Sequence, residues 1–139
     1  MLLADRHHGL TEGIRGLLES EFPAVVMVAD ERSLLATATT MRPALVVADL
    51  ALTQGESFGW LRRLLERCPG SRVIVLSPHE ESVVVKQAFE AGAMGFVRKR
   101  EIASNLLAAV AAVLAGDRYS PESFSPPTKR NGGCGEKSE

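Results

Sequence analysis

Five times along this chain a short run of β-branched and other apolar residues is followed by a segment with helical periodicity. The runs Met1–Ala4, Ala24–Ala29, Leu45–Ala48, Arg72–Leu76 and Gly95–Val97 read as strands. Val25, Val26 and Val28, then Val46 and Val47, then Val73, Ile74 and Val75, do not alternate with polar residues. Near-continuous runs of this kind suit parallel strands covered on both faces. The segments between them are amphipathic. Leu10–Glu21 sets Leu10, Ile14, Leu17 and Leu18 on one stripe, and Phe58–Arg67 carries Leu61, Leu64 and Leu65 opposite Arg62, Arg63, Glu66 and Arg67. Arg32–Thr40, Ser82–Ala91 and Glu101–Ala115 supply the other three helices. Ser57 is the expected N-cap of the third helix, and Gly92 and Gly116 are expected to end the fourth and fifth.

Strand–helix alternation implies an α/β protein whose parallel sheet is joined by right-handed crossovers. With five strands the expected fold is a flavodoxin-like three-layer sandwich of strand order 2-1-3-4-5 with five helices. Sites in such sheets lie at the carboxyl ends of the strands. There the sequence places Asp5 after strand one, Asp49 after strand three, Ser77 after strand four and Lys99 after strand five. Two carboxylates, a hydroxyl and an ammonium converging on one edge make a chemically coherent group. The expected domain is 1–118. The remainder, 119–139, carries Pro121, Pro126 and Pro127 and then a polar, glycine-rich stretch, and reads as linker and flexible tail.

Composition narrows the function classes. A net charge of −1 gives no bulk electrostatic case for nucleic-acid binding. The longest apolar stretch, Leu106–Ala115, is far shorter than the about 20 residues a membrane span needs, and the N-terminus lacks signal-peptide features. A cytoplasmic location is expected. Cys68 and Cys134 form no CxxC or Cys/His cluster and read as free thiols. His7 and His8 have no third ligand spaced to join them and read as solvated. Glu80 and Glu81 fit the first turn of helix four, where they complement its dipole, and Arg62, Arg63 and Arg67 read as a solvated face.

The stretches "LLADRHHGLTEGIRGLLE", "PALVVADLALTQGESFGWLRRL" and "VIVLSPHEESVVVKQAFEAGAMGFVRK", with "AGDRYSPE" beyond them, resemble the receiver domain of two-component response regulators, in particular its LuxR/NarL-type branch, over roughly residues 1–123. The resemblance implies a phosphorelay switch rather than an enzyme. A histidine kinase or phosphotransfer protein would pass a phosphoryl group to Asp49. Asp5, Asp49 and the Ala51 carbonyl would hold Mg²⁺, Ser77 and Lys99 would bind the phosphoryl oxygens, and Ser77 with the aromatic Phe96 would form the switch. It also implies a link to transcription regulation. LuxR/NarL-type proteins carry a helix-turn-helix module after the linker. The twenty or so residues after Tyr119 leave no room for one, so this chain is either a natural single-domain regulator or a fragment, with its output through a protein partner. The alanine-rich side of helix five offers a homodimer face.

One position departs from the family pattern. Where two adjacent acids are usual after strand one, this chain reads Asp5-Arg6. Arginine cannot ligate Mg²⁺, which demands oxygen ligands, and its charge would repel the ion by several kcal/mol at an effective dielectric of about 20. Two outcomes stay open. Arg6 turns to solvent and leaves a weakened metal site, or it turns in to pair with Asp49 and makes an atypical, phosphorylation-independent receiver. The loop beyond the acceptor is also altered, to Thr53-Gln54, with Gly55 retained.

Overall fold

The computed structural model describes residues 1–4, 8–20, 25–49, 58–77 and 82–120. Strands β1 (Leu2–Ala4), β2 (Val26–Val28), β3 (Leu45–Asp49), β4 (Arg72–Ser77) and β5 (Gly95–Arg98) alternate with helices α1 (His8–Glu19), α2 (Glu31–Met41), α3 (Gly59–Arg67), α4 (Ser82–Glu90) and α5 (Ile102–Leu114). A 3-10 turn, Lys99–Glu101, joins β5 to α5. All pairings are parallel, and the strand order is β2-β1-β3-β4-β5. The expected topology is therefore found.

Period-two alternation along buried strands divides the core in two. Leu2, Val46, Ala48, Val73, Val75 and Phe96 point to one face, where Leu34 of α2, Trp60, Leu61 and Leu64 of α3, and Val85 and Ala88 of α4 cover them. Leu3, Leu45, Val47, Ile74, Leu76 and Val97 point to the other, under Leu18 of α1 and Leu106, Val110 and Val113 of α5. The central strands β1, β3 and β4 are buried almost throughout, as their unbroken apolar runs require. β2 differs. It spans three residues rather than the expected six, and Val26 is exposed because β2 lies at the sheet's edge.

The helix ends follow local chemistry. Asp30 caps α2 by accepting a 2.7 Å hydrogen bond from the Ser33 N–H at Oδ1. Arg42 ends that helix in the left-handed region, φ 49°, its N–H returning to Ala38 O. Gly92 takes φ 114° after α4, a conformation that favours glycine, and a Cβ there would also push the Leu65 Cδ1 methyl aside. Ser57 lies outside the described residues. The cap position of α3 is Phe58, which offers no side-chain hydrogen bond and instead buries its ring in the core. No helix among the described residues is long and apolar enough to cross a membrane.

Candidate functional site

Asp49 is the last residue of β3 rather than the first beyond it. Its ladder partner is Leu76, so the carboxylate leaves the sheet one step below Ser77, the last residue of β4. Ser77 in turn lies beside Arg98, the last residue of β5, and Lys99 opens the 3-10 turn that follows. Right-handed crossovers bring β3, β4 and β5 side by side with their carboxyl ends together, and three polar positions distant in sequence become neighbours at one edge.

Asp49 and Ser77 are both fully buried, at 0% exposure. A carboxylate in such a place needs a partner of opposite charge or it would cost several kcal/mol. Lys99 supplies it: its Nζ donates to Asp49 Oδ2 across a separation of fifty residues in sequence. The lysine side chain is only 16% exposed, so the pair is largely withdrawn from solvent. Phe96 lies three residues earlier on β5, opposite Val75 and fully buried against α4. Its ring is continuous with the core, and its strand leads directly into Lys99.

A second ion pair braces the turn that carries Lys99. The Arg98 guanidinium is buried and meets Glu101 in a fork, Nε to Oε1 at 2.9 Å and Nη2 to Oε2 at 2.7 Å. Asn105 Nδ2 of α5 donates to the same Oε1 at 3.1 Å. Two-point pairing fixes the guanidinium plane, and with it the end of β5, more tightly than one contact would. The sequence places the end of β5 at Val97 and Glu101 at the start of the fifth helix, and gives no sign that Arg98 and Glu101 pair. The available signal was an Arg–Glu pair three apart, but across a strand-to-helix turn that spacing predicts no contact.

The structure thus joins Asp49 to Lys99, places Ser77 on the adjacent strand end and puts Phe96 beneath the turn. Asp5, Arg6 and Ala51 lie outside the described residues, as do His7, Glu80 and Glu81. Among the described residues no group of three or more His, Cys, Asp or Glu side chains could hold a metal ion. Asp49 by itself, with one oxygen engaged by Lys99, does not make a Mg²⁺ site. Cys68 is a free, buried thiol whose Sγ donates to Ala38 O at 3.3 Å, a structural contact far from this edge.

A doubly wound parallel sheet with an acid–ammonium pair and a hydroxyl at its carboxyl edge defines a signalling-type α/β domain better than a nucleotide-binding one, since the Gly-rich phosphate loop of the latter is missing after β1. Residues 1–111 match the family model described as response regulator receiver domain, and the chain belongs to that family. It is 35% identical over 127 residues to the transcriptional activator protein ExaE of Pseudomonas putida, covering 86% of this chain and 56% of that protein. To the glycerol metabolism activator of the same organism it is 30% identical, over 95% of this chain and 61% of the relative. The chain therefore spans less than two thirds of the length of these relatives. Among solved structures, a LuxR-family two-component response regulator from Aurantimonas sp. SI85-9A1 superposes with a TM-score of 0.80 at 30% identity, covering 88% of this chain and 89% of that one.

Proposed function

We propose that this receiver domain accepts a phosphoryl group on Asp49 from a histidine kinase or phosphotransfer protein in the cytoplasm. The observation that supports it most is the Lys99 ammonium seated on a fully buried Asp49 carboxylate at the carboxyl edge of the sheet. In the proposed step an Asp49 oxygen attacks phosphorus, the P–N bond of the donor phosphohistidine breaks, and the leaving imidazole nitrogen keeps the bonding pair and takes up a proton. Lys99 follows the negative charge from the carboxylate to a phosphoryl oxygen as a point charge free to pivot on its stem. The Ser77 hydroxyl donates to another oxygen, drawing its loop inward, and Phe96 responds to the space that loop vacates or fills. Asp5, Asp49 and the Ala51 carbonyl would hold Mg²⁺, whose charge would offset that of the incoming phosphate, and Arg6 would weaken that set.

The Asp5-Arg6 pair supports a second reading, an atypical receiver that binds its partner without being phosphorylated. One set of measurements separates the two. Incubation with acetyl phosphate and Mg²⁺ is expected to give a single acyl-phosphate adduct, seen by intact-mass spectrometry or phosphate-affinity gels, that Asp49→Asn abolishes. No adduct in the unaltered chain, with one appearing in Arg6→Asp, establishes the atypical reading instead.

A further inference from the structure

The chain does not leave the fold where α5 ends. Gly116 turns with φ 96°, the Asp117 N–H returns to Ala112 O at 2.9 Å, and the following residues run back along β5. The Tyr119 N–H donates to Met94 O at 3.0 Å, and Tyr119 O accepts from the Phe96 N–H at 3.0 Å. These are the two bonds of a parallel bridge between Gly95 and Tyr119. The Tyr119 side chain is half-buried against the core cluster that contains Val97 and Val113. One residue earlier, the Arg118 guanidinium carbon stands 5.8 Å from the centroid of the Phe89 ring on α4. Backbone pairing, apolar packing and a cation–ring contact therefore hold four residues that the sequence alone assigned to the end of the domain and the start of a linker.

β5 is an end strand of the sheet. The outward N–H and C=O groups of an end strand are a template for pairing with another chain. Here Met94 O and Phe96 N–H, the first two groups a visiting strand would meet on this edge, are already taken by Tyr119. We propose that Asp117–Ser120 is a cis latch that closes the outer edge of β5 against strand pairing with a second copy of this chain. The second copy is the partner the geometry favours, because it carries both surfaces: the β5 edge itself and an identical Arg118–Tyr119 segment on a glycine pivot, the arrangement from which segments exchange between copies. The latch uses neither Asp49 nor Lys99 and engages Phe96 only through its backbone N–H, so its test is distinct from that of the phosphoryl chemistry.

Amide hydrogen exchange and sedimentation of the full chain test it. The Phe96 amide is expected to exchange slowly in the unaltered protein, and at least tenfold faster in Tyr119→Pro, which removes the donor to Met94 O, while the central β4 amides of Val75 and Leu76 keep their rates. The same variant is expected to gain a concentration-dependent increase in sedimenting mass. Arg118→Ala, which keeps the backbone pairing and so protects the measurement against misfolding of the proline variant, is expected to raise Phe96 exchange about threefold. Free-peptide exchange at Phe96 in the unaltered chain overturns the latch. Unchanged sedimentation in Tyr119→Pro, once Phe96 has opened, overturns its role in closing the edge.

Discussion

The two ends of the sheet treat polar groups in opposite ways. At the amino end two of them, the buried Ser71 and the partly exposed Arg72, are retired onto backbone carbonyls. Ser71 Oγ donates to Pro43 O at 2.5 Å, and Arg72 Nη1 donates to Leu114 O at 2.8 Å. At the carboxyl end side chain meets side chain: Lys99 on Asp49, Arg98 on Glu101. A carbonyl is a fixed acceptor, and a bond to it seals a loop. A carboxylate held by an ammonium is a buried charge matched by a counter-charge, and losing either one strands the other. The same sheet therefore settles polar groups on neutral acceptors at one end and in ion pairs at the other.

The sharpest way to break this contrast is to remove one partner at each end. Lys99→Met leaves the Asp49 carboxylate buried without its ammonium, and the cost is expected to be about 3 kcal/mol at neutral pH. Ser71→Ala removes a single neutral donor from Pro43 O and is expected to cost about 1 kcal/mol. Urea unfolding midpoints at constant slope measure both. Equal losses at the two ends would mean that the Asp49–Lys99 pair is no more than another cap.

Trp60 sharpens the comparison from the other side. It lies in the first turn of α3, the helix that follows β3 and so begins at the carboxyl end, and it is fully buried. Its indole Nε1 has no hydrogen-bond partner among the described residues. Such a donor forfeits roughly 1–3 kcal/mol of hydration with no bond in return. Trp60→Phe keeps most of the apolar packing and removes the donor. It is expected to be neutral or to stabilise by up to about 1 kcal/mol, the buried ring area lost offsetting part of the gain. Circular dichroism melts check this, since the chain's only tryptophan is lost. A loss above about 2 kcal/mol would show that ring volume, not the orphan donor, dominates there.

How far the sequence discloses this arrangement depends on the range of the interaction. Strands β3 and β4 are legible because Val46, Val47, Val73, Ile74 and Val75 are buried on both faces and leave no polar gap in the run. The stripe of Ile102, Leu106, Val110 and Val113 is legible because helical period and burial coincide on α5. Asp49, Ser77 and Lys99 are picked out by topology, since a parallel sheet must gather its strand ends. The Arg98–Glu101 fork, the orphan indole of Trp60 and the docking of Tyr119 escape sequence reading for a common reason. Each depends on where a side chain or loop settles once the sheet has formed, and no periodicity encodes that. Trp60 is a case in point: the stripe of Leu61, Leu64 and Leu65 accounts for the apolar face of α3 without it.

The smallest expected effect concerns Asp30, the α2 cap that follows β2 at the same carboxyl end. Here a carboxylate behaves as the amino-end groups do, spending its charge on backbone. The Ser33 N–H bonded to it is the largest cause holding its carboxyl below the ordinary value of 3.8, with Ser33's side chain and the Arg32 charge adding to it. A carboxyl depressed in the folded state contributes stability that is fully present above the unfolded value and is lost as pH falls through the folded one. Asp30→Asn keeps an acceptor oxygen at the cap but cannot ionise. The unaltered chain is therefore expected to be slightly more stable than the variant at about pH 6, with the gap closing as the pH is lowered through about 4 towards 3. Urea midpoints of the two proteins across that window measure it. A gap that stays constant would mean that Asp30 caps α2 as a neutral acceptor would, and that charge at this end of the sheet matters where it meets a counter-charge, at Lys99 and Arg98, and not where it meets backbone.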